Sequence, residues 1–210
     1  MAQISGLPGD LAAVPGDPAA DRRWLRQAIE LSRRCPPSST AFSVGAILVS
    51  QSGAMISTGY SRERDPSDHA EETALAKTTG AAPSARQPDL PPGLAPELTD
   101  VLTPVLPPVL APVLPPEVAP VLGPELAPVL AGATIYSSLE PCRTRASRPR
   151  SCAELILAAG LRRVVLAWLE PPLFVPGGGA AWLRERGVTV VEIPELAAQA
   201  RAVNAHLLPL

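Results

Sequence analysis

Apolar and polar positions along this chain fall into two periods. In residues 21–34, Trp24, Leu25, Ala28, Ile29 and Leu31 recur at the spacing of an amphipathic helix, with Asp21 placed as its cap. Pro36-Pro37 stops it. Residues 42–49 are strand-like, with Val44, Ile47, Leu48 and Val49 around Gly45. Ser50-Gln51-Ser52-Gly53 reads as a turn into a second strand, 54–60, and the two are expected to pair as an antiparallel hairpin. A polar loop, 61–68, then delivers His69 to the start of a helix running from Ala70 to about Thr79.

Order resumes at Ala133. Residues 134–137 form a short strand ending at Pro141-Cys142, where Pro141 suits the first turn of a helix. A helix over 153–159 is closed by Gly160, a strand follows at 164–168, a short helix at 180–186 closed by Gly187, a strand at 188–193, and a last helix from Pro194 to about Leu207. The last strands, joined through helices, are expected to run parallel with right-handed crossovers. The sum is an α/β domain: a five-stranded mixed sheet with helices on both faces.

Two stretches fall outside this alternation. Residues 1–20 carry repeated Gly and Pro and read as a disordered tail. From Pro92 the chain falls into tetrads (PGLA, PELT, DVLT, PVLP, PVLA, PVLP, PEVA, PVLG, PELA, PVLA), with proline opening each except the one at Asp100. Proline at that period removes the donors a helix or sheet ladder requires. The domain, 21–208, is therefore read as interrupted by a Pro/Leu/Val-rich insertion, 81–131. Its state is an extended linker or a docking arm for a proline-reading partner.

Composition narrows the class. The chain has 210 residues, 46% of them hydrophobic, enough for one domain with spare length, and its 27 prolines are concentrated locally. A net charge of −2 and 3% aromatics give neither a basic stripe nor stacking platforms, which argues against a nucleic-acid partner. The amino terminus lacks a basic start and an apolar core, and no proline-free run is long enough to span a membrane. Three cysteines do not make a disulfide framework, so a reduced, cytoplasmic setting is expected. Cys35 is read as a packing residue and His206 as a surface or packing residue.

The chemistry sits in two distant stretches, His69-Ala70-Glu71-Glu72 and Ser137-Ser138-Leu139-Glu140-Pro141-Cys142 with Cys152 following. One histidine and two cysteines can hold Zn2+ and leave its fourth position open, as catalytic zinc sites do. The pieces His69-x-Glu71 and Pro141-Cys142 fit the signature of zinc deaminases, with the second cysteine displaced to Cys152. Helical spacing alone pairs His69 with Glu72, since i and i+3 share a face. Between the cysteines lie Arg143, Arg145, Arg148 and Arg150, either a solvated basic loop or the holders of a substrate phosphate.

The chain resembles the cytidine deaminase superfamily, and within it the deaminase domain of riboflavin-biosynthesis pyrimidine deaminases. The resemblance is carried by Val44-Gly45-Ala46, His69-Ala70-Glu71, Leu139-Glu140-Pro141-Cys142 and the long Arg- and Pro-bearing gap to Cys152. Residues 158–165, 172–179 with Leu183, Gly187 and Val188, and Ala200-Arg201-Ala202-Val203-Asn204 continue it. It implies the three-layer fold of cytidine deaminases, zinc on His69, Cys142 and Cys152, and Glu71 rather than Glu72 as the catalytic proton carrier. The family's Pro-Asn-Pro stretch is here Thr40-Ala41-Phe42, so an asparagine expected near the substrate is missing.

Three functions follow as expectations. The first is hydrolytic deamination of the diaminohydroxyphosphoribosylaminopyrimidine of riboflavin synthesis, with Phe42 and the four arginines as substrate contacts. The second is a cytidine- or dCMP-type deaminase, since Phe42-Ser43-Val44-Gly45 also resembles the Phe-x-Val-Gly of that branch. The third is an inactive zinc module with a docking arm, against which the retained Glu71 argues. The expected partner is a small pyrimidine, with no nucleic acid and no membrane. A homo-oligomer is expected, and reductase activity is expected to lie off this chain.

Overall fold

The computed structural model describes residues 15–79, 130, 132–174 and 176–208. The tetrad stretch 92–131 lies almost wholly outside the described residues, as do positions 1–14 of the expected tail. Helices and strands alternate as α1 (Pro18–Ser32), β1 (Gly45–Val49), β2 (Met55–Tyr60), α2 (Ala70–Thr79), β3 (Thr134–Ser137), α3 (Cys152–Ala158), β4 (Arg163–Leu166), α4 (Gly179–Glu185), β5 (Thr189–Glu192) and α5 (Ala197–Val203). Short 3-10 turns, Pro194–Leu196 and Ala205–Leu207, flank α5, so the expected single last helix is split.

The strands form one sheet in the order β2-β1-β3-β4-β5. β1 pairs antiparallel with β2 and β3, and β3, β4 and β5 run parallel, as expected for strands joined through helices. Every residue of β1 and β3 is buried. Side-chain alternation divides them between two cores. Ile47, Val49, Tyr136 and Val165 meet Trp24, Leu25 and Ile29 of α1 together with Leu196 and Ala200. Ala46, Leu48, Ile135 and Val164 meet Ala70 and Ala74 of α2, Ile156 of α3 and Leu183 of α4. A sheet covered on both faces is a three-layer domain, and its central strands are apolar throughout for that reason. Among the described residues, no helix is long and apolar enough to cross a membrane.

Two local expectations are corrected. Helix α1 starts at Pro18, not Asp21, inside the expected tail. Asp17 is its N-cap, and its side chain accepts from the Ala20 N–H at 2.9 Å. Proline at the first helical position is pre-organised for this start. Asp21 is buried, accepting from the Tyr136 hydroxyl at 2.8 Å and from Arg163 at 3.0 and 2.6 Å. A carboxylate at a helix start looks like a cap from the sequence, but its partners come from β3 and β4. Likewise, Pro141 opens no helix. Residues 138–151 are a loop, and α3 begins at Cys152 under a capping box in which Ser151 and Glu154 satisfy each other's backbone N–H.

Candidate active site

The site is assembled where α2, the end of β3 and the start of α3 converge. Helix α2 leans closely on β2: a Cβ at Gly59 would collide with the Ala70 carbonyl, so glycine is what lets the first turn sit down. The turn before it is tied by Asp68, whose Oδ2 accepts the N–H groups of Arg64 (3.2 Å) and Asp65 (2.9 Å). His69 follows, and its carbonyl receives the Thr73 N–H at 3.0 Å and hydroxyl at 2.9 Å.

From the opposite side, Glu140 anchors the loop that carries Cys142. Its carboxylate accepts the N–H groups of Glu170 (2.9 Å), Gly178 (3.2 Å) and Ala180 (2.7 Å). Gly179 abuts the Pro141 carbonyl so tightly that a side chain has no room. Cys142 is thereby laid over α3, where the Cys152 N–H donates to its Sγ at 3.3 Å.

His69 Nδ1 lies 3.6 Å from Cys142 Sγ and 3.4 Å from Cys152 Sγ, and the three ligand atoms all fall within 4.8 Å of one another. The two thiols are held in opposite directions. Hydrogen bonding from Cys152, with His69 adding to it, pulls Cys142 down to the thiolate against its burial. The same bond, burial and the neighbouring negative charge push Cys152 up. A half-buried imidazole beside two buried thiols, one of them lowered towards the thiolate, fits a thiophilic dication, which would release the remaining thiol proton.

The cluster opens on a cavity of about 500 Å³, to which His69, Glu71 and Cys142 contribute together with Phe42, Arg62, Arg145, Glu170 and Phe174. Glu71 is 3% exposed, and its Oε1 accepts the Ser137 hydroxyl at 2.6 Å. Burial pushes its carboxyl up; the Ser137 hydroxyl opposes this and the Cys142 charge adds to it. Glu72, sharing the helix face expected for a partner of His69, instead meets Arg145 at 3.0 Å and Arg148 at 3.6 Å and is not on the cavity wall. The i+2 carboxylate reaches the cavity because His69 precedes the helix, so regular helical spacing does not govern the pair.

The arginines between the cysteines separate. Arg145 lines the cavity, spending Nε on the Arg150 carbonyl (2.7 Å) and Nη1 on Glu72. Arg148 is buried against Asp68 at 2.9 Å, away from the wall. Arg143 pairs with Glu154 at 3.2 Å and lies over the Trp182 ring, and Arg150 is exposed. Phe42 is on the wall, in edge contact with Trp168 and Phe174. Cys35 is half-buried and its thiol donates to the Val44 carbonyl, and His206 is exposed beside the Ser38 carbonyl.

Four residues were not legible as site residues. Arg62, in the left-handed region at φ 61°, donates to the carbonyls of Pro36 and Phe42 and to Ser43 Oγ, fixing the Phe42 wall. Asn204, at the end of α5, grips the Ser43 backbone, its Oδ1 accepting the N–H at 2.7 Å and its Nδ2 donating to the carbonyl at 3.1 Å. Glu170 has a buried Oε2 without a hydrogen-bond partner among the described residues. Burial, with the charges of Cys142, Glu140 and Glu71, pushes it up to about 8. Ser137 is the fourth. Asn204 lies in a stretch that carried the family resemblance, and Ser137 heads the stretch that carries Cys142, though no role for its hydroxyl could be read from the sequence.

Residues 18–168 match the family described as the cytidine and deoxycytidylate deaminase zinc-binding region. A diaminohydroxyphosphoribosylamino-pyrimidine deaminase of Schizosaccharomyces pombe is 31% identical over 185 residues, 88% of this chain and 35% of that protein. The riboflavin biosynthesis protein RibD of Aquifex aeolicus is 38% identical over 73 residues, 35% of this chain and 20% of that protein. The chain thus spans 35% and 20% of the lengths of these two relatives. The Rib2 deaminase of Aspergillus oryzae, solved as a C-terminal deletion mutant in complex with DARIPP, shares the fold. Its TM-score is 0.54 at 20% identity, over 89% of this chain and 95% of that one. The family match spans both the His69 and the Cys142–Cys152 stretches, from α1 through β4, and the chain belongs to the cytidine and deoxycytidylate deaminase zinc-binding family.

Proposed function

We propose that this chain is a zinc-dependent hydrolase that deaminates an amino-pyrimidine, and that its substrate is the phosphorylated diaminopyrimidine of riboflavin synthesis. The observation that carries the reading is the clustering of His69, Cys142 and Cys152, the first two on the wall of a cavity that also holds the buried carboxylate of Glu71. Zinc held by those three residues supplies the Lewis acidity that activates water near neutral pH. Glu71 is the group that moves protons. Its carboxylate takes one from the attacking water, delivers it to the ring nitrogen, and passes the second to the departing amine. A C–O bond forms at the ring carbon, its C–N bond breaks, ammonia leaves and a carbonyl remains.

The remaining wall residues serve recognition. Phe42 and Phe174 offer ring edges and faces to a flat base. Glu170, its carboxyl pushed up to about 8, can donate to or accept from a polar edge of the base through Oε2. For the phosphate, the arginine reading narrows to Arg145, which lines the cavity and has Nη2 left after its bonds to Arg150 and Glu72. The choice of substrate draws on the relatives, whose names include a deaminase of this pyrimidine. The setting is cytoplasmic and the partner is a small molecule.

The test is ammonia release by zinc-loaded protein from a panel of amino-pyrimidines. The riboflavin intermediate should turn over, and Arg145→Met should raise KM for it more than for its dephosphorylated analogue. Turnover of cytidine or dCMP with none of the riboflavin intermediate would move the chain to the cytidine branch.

A further inference from the structure

We infer that Ser137 is a positioning residue for Glu71: its hydroxyl, donated to Oε1, fixes the carboxylate so that Oε2 is the oxygen that exchanges protons with substrate. The inference rests on the proposed role of Glu71 and deepens it.

The argument begins with where Ser137 stands. It is the last residue of β3, the middle strand of the sheet, and it is fully buried. Its register neighbours are Ala46 on one side and Leu166 on the other. It shares a face with Ile135, the face covered by α2. At such a position an apolar side chain is the default, and a hydroxyl costs stability unless it is hydrogen-bonded. The partner it has is Glu71 Oε1 at 2.6 Å, contributed from α2, 66 residues earlier. A short O–H···O bond to a carboxylate is of the charge-assisted kind, stronger than one between neutral groups.

The consequence is for the geometry of the carboxylate. A glutamate has three rotatable side-chain torsions and gives up substantial freedom when it is fixed. Proton transfer requires the carrier to stand within hydrogen-bond reach of both donor and acceptor. Glu71 extends from the first turn of α2 towards the cavity, and among the described residues Ser137 is the side chain that donates to it. With the hydroxyl proton committed to Oε1, the two oxygens are no longer equivalent, and Oε2 is the one left for transfer. Ser137 does not line the cavity, so it acts through Glu71 and not on substrate.

The experiment compares Ser137→Ala, Ser137→Thr and Glu71→Gln in the zinc-loaded chain, reading kcat, KM, zinc content, melting temperature and the Kd of the deaminated product. Supporting groups of this kind are worth roughly 10–100-fold in activity. Ser137→Ala should lower kcat by about that factor, with zinc content unchanged and KM and product Kd within about twofold. Ser137→Thr should restore most of kcat, since threonine keeps the hydroxyl and suits a strand. Wild-type kcat in Ser137→Ala would overturn the inference, as would a loss in Ser137→Thr as deep as in Ser137→Ala with zinc and melting temperature intact. A Glu71→Gln variant that still turns over overturns the parent reading instead. An inactive Glu71→Gln beside a fully active Ser137→Ala removes only the role of Ser137.

Discussion

Two buried groups of charges flank the first turn of α2, and they are built differently. On one side stand Asp68 and Glu72 with Arg145 and Arg148, their side chains 0% to 6% exposed. Each carboxylate there has a guanidinium within 3.0 Å, and Asp68 accepts two backbone N–H groups besides. On the other side stand His69, Glu71, Cys142 and Cys152. Among the described residues Glu71 has a hydroxyl and no arginine, and Cys142 is lowered towards the thiolate while Cys152 is raised. Glu71 and Glu72 are adjacent and almost equally buried, at 3% and 5%. What separates them is the supply of partners. A closed set of charges holds the Cys142–Cys152 loop against α2. On the proposed reading, the second set is completed from outside, by a bound dication and by protons in transit.

The sharpest way to break the contrast is at the proposed metal ligands. Cys142→Ser or Cys152→Ser should lose zinc and lower the melting temperature together, because ligand binding contributes folding free energy. Cys35→Ser should change neither. Metal analysis with calorimetry distinguishes them, and zinc loss in Cys35→Ser alone would refute the ligand set.

Next comes the pair of neighbours. Glu71→Gln should retain fold and zinc and reduce kcat by roughly 10²–10⁴-fold, the range of general acid/base catalysis. Glu72→Gln should keep kcat within about threefold and lower the melting temperature, because it weakens the anchoring set. Reversed outcomes in steady-state kinetics would exchange the two roles.

The anchoring set can be tested on its own. Arg148→Met strands Asp68 as a buried carboxylate, and removing one partner of a buried pair costs about 3–5 kcal/mol. The double variant Arg148→Met/Asp68→Asn should recover part of that loss in urea titrations. Equal losses in the single and double variants would show that packing, not charge pairing, is at stake.

The smallest expected effect lies at Asp21, outside both groups. Burial raises its carboxyl, but Arg163, the Tyr136 hydroxyl and the Gly16 N–H outweigh that and hold it below its ordinary value. The stability it contributes is therefore present above about pH 3.9, the unfolded value, and is lost as pH falls through the lower folded value. Urea midpoints of wild type and Asp21→Asn should differ at pH 5 and converge towards pH 3. A difference that is constant across that range would argue against the linkage.

Much of this architecture was written locally. The hairpin around Gly53, the helix after His69, the strand before Pro141 and the stop at Gly187 rest on period, turn residues and proline, each acting within a few residues. His69, Cys142 and Cys152 could be picked out as candidate ligands from the sequence because metal chemistry calls for those side chains, and the fold brings their ligand atoms within 4.8 Å of one another. What the chain order could not settle was which charge meets which. Asp21 read as a cap until Arg163 reached it across 142 positions, and Ser43 is gripped by Asn204 across 161. Glu71 and Glu72 occupy the same turn, and only the packing of β3 and the cysteine loop around α2 gives one a serine and the cavity and the other two arginines. Local propensity depends on neighbours in sequence, whereas burial and pairing depend on neighbours in space. The first fixed the elements and the ligand types, and the second decided which carboxylate and which arginine face the cavity.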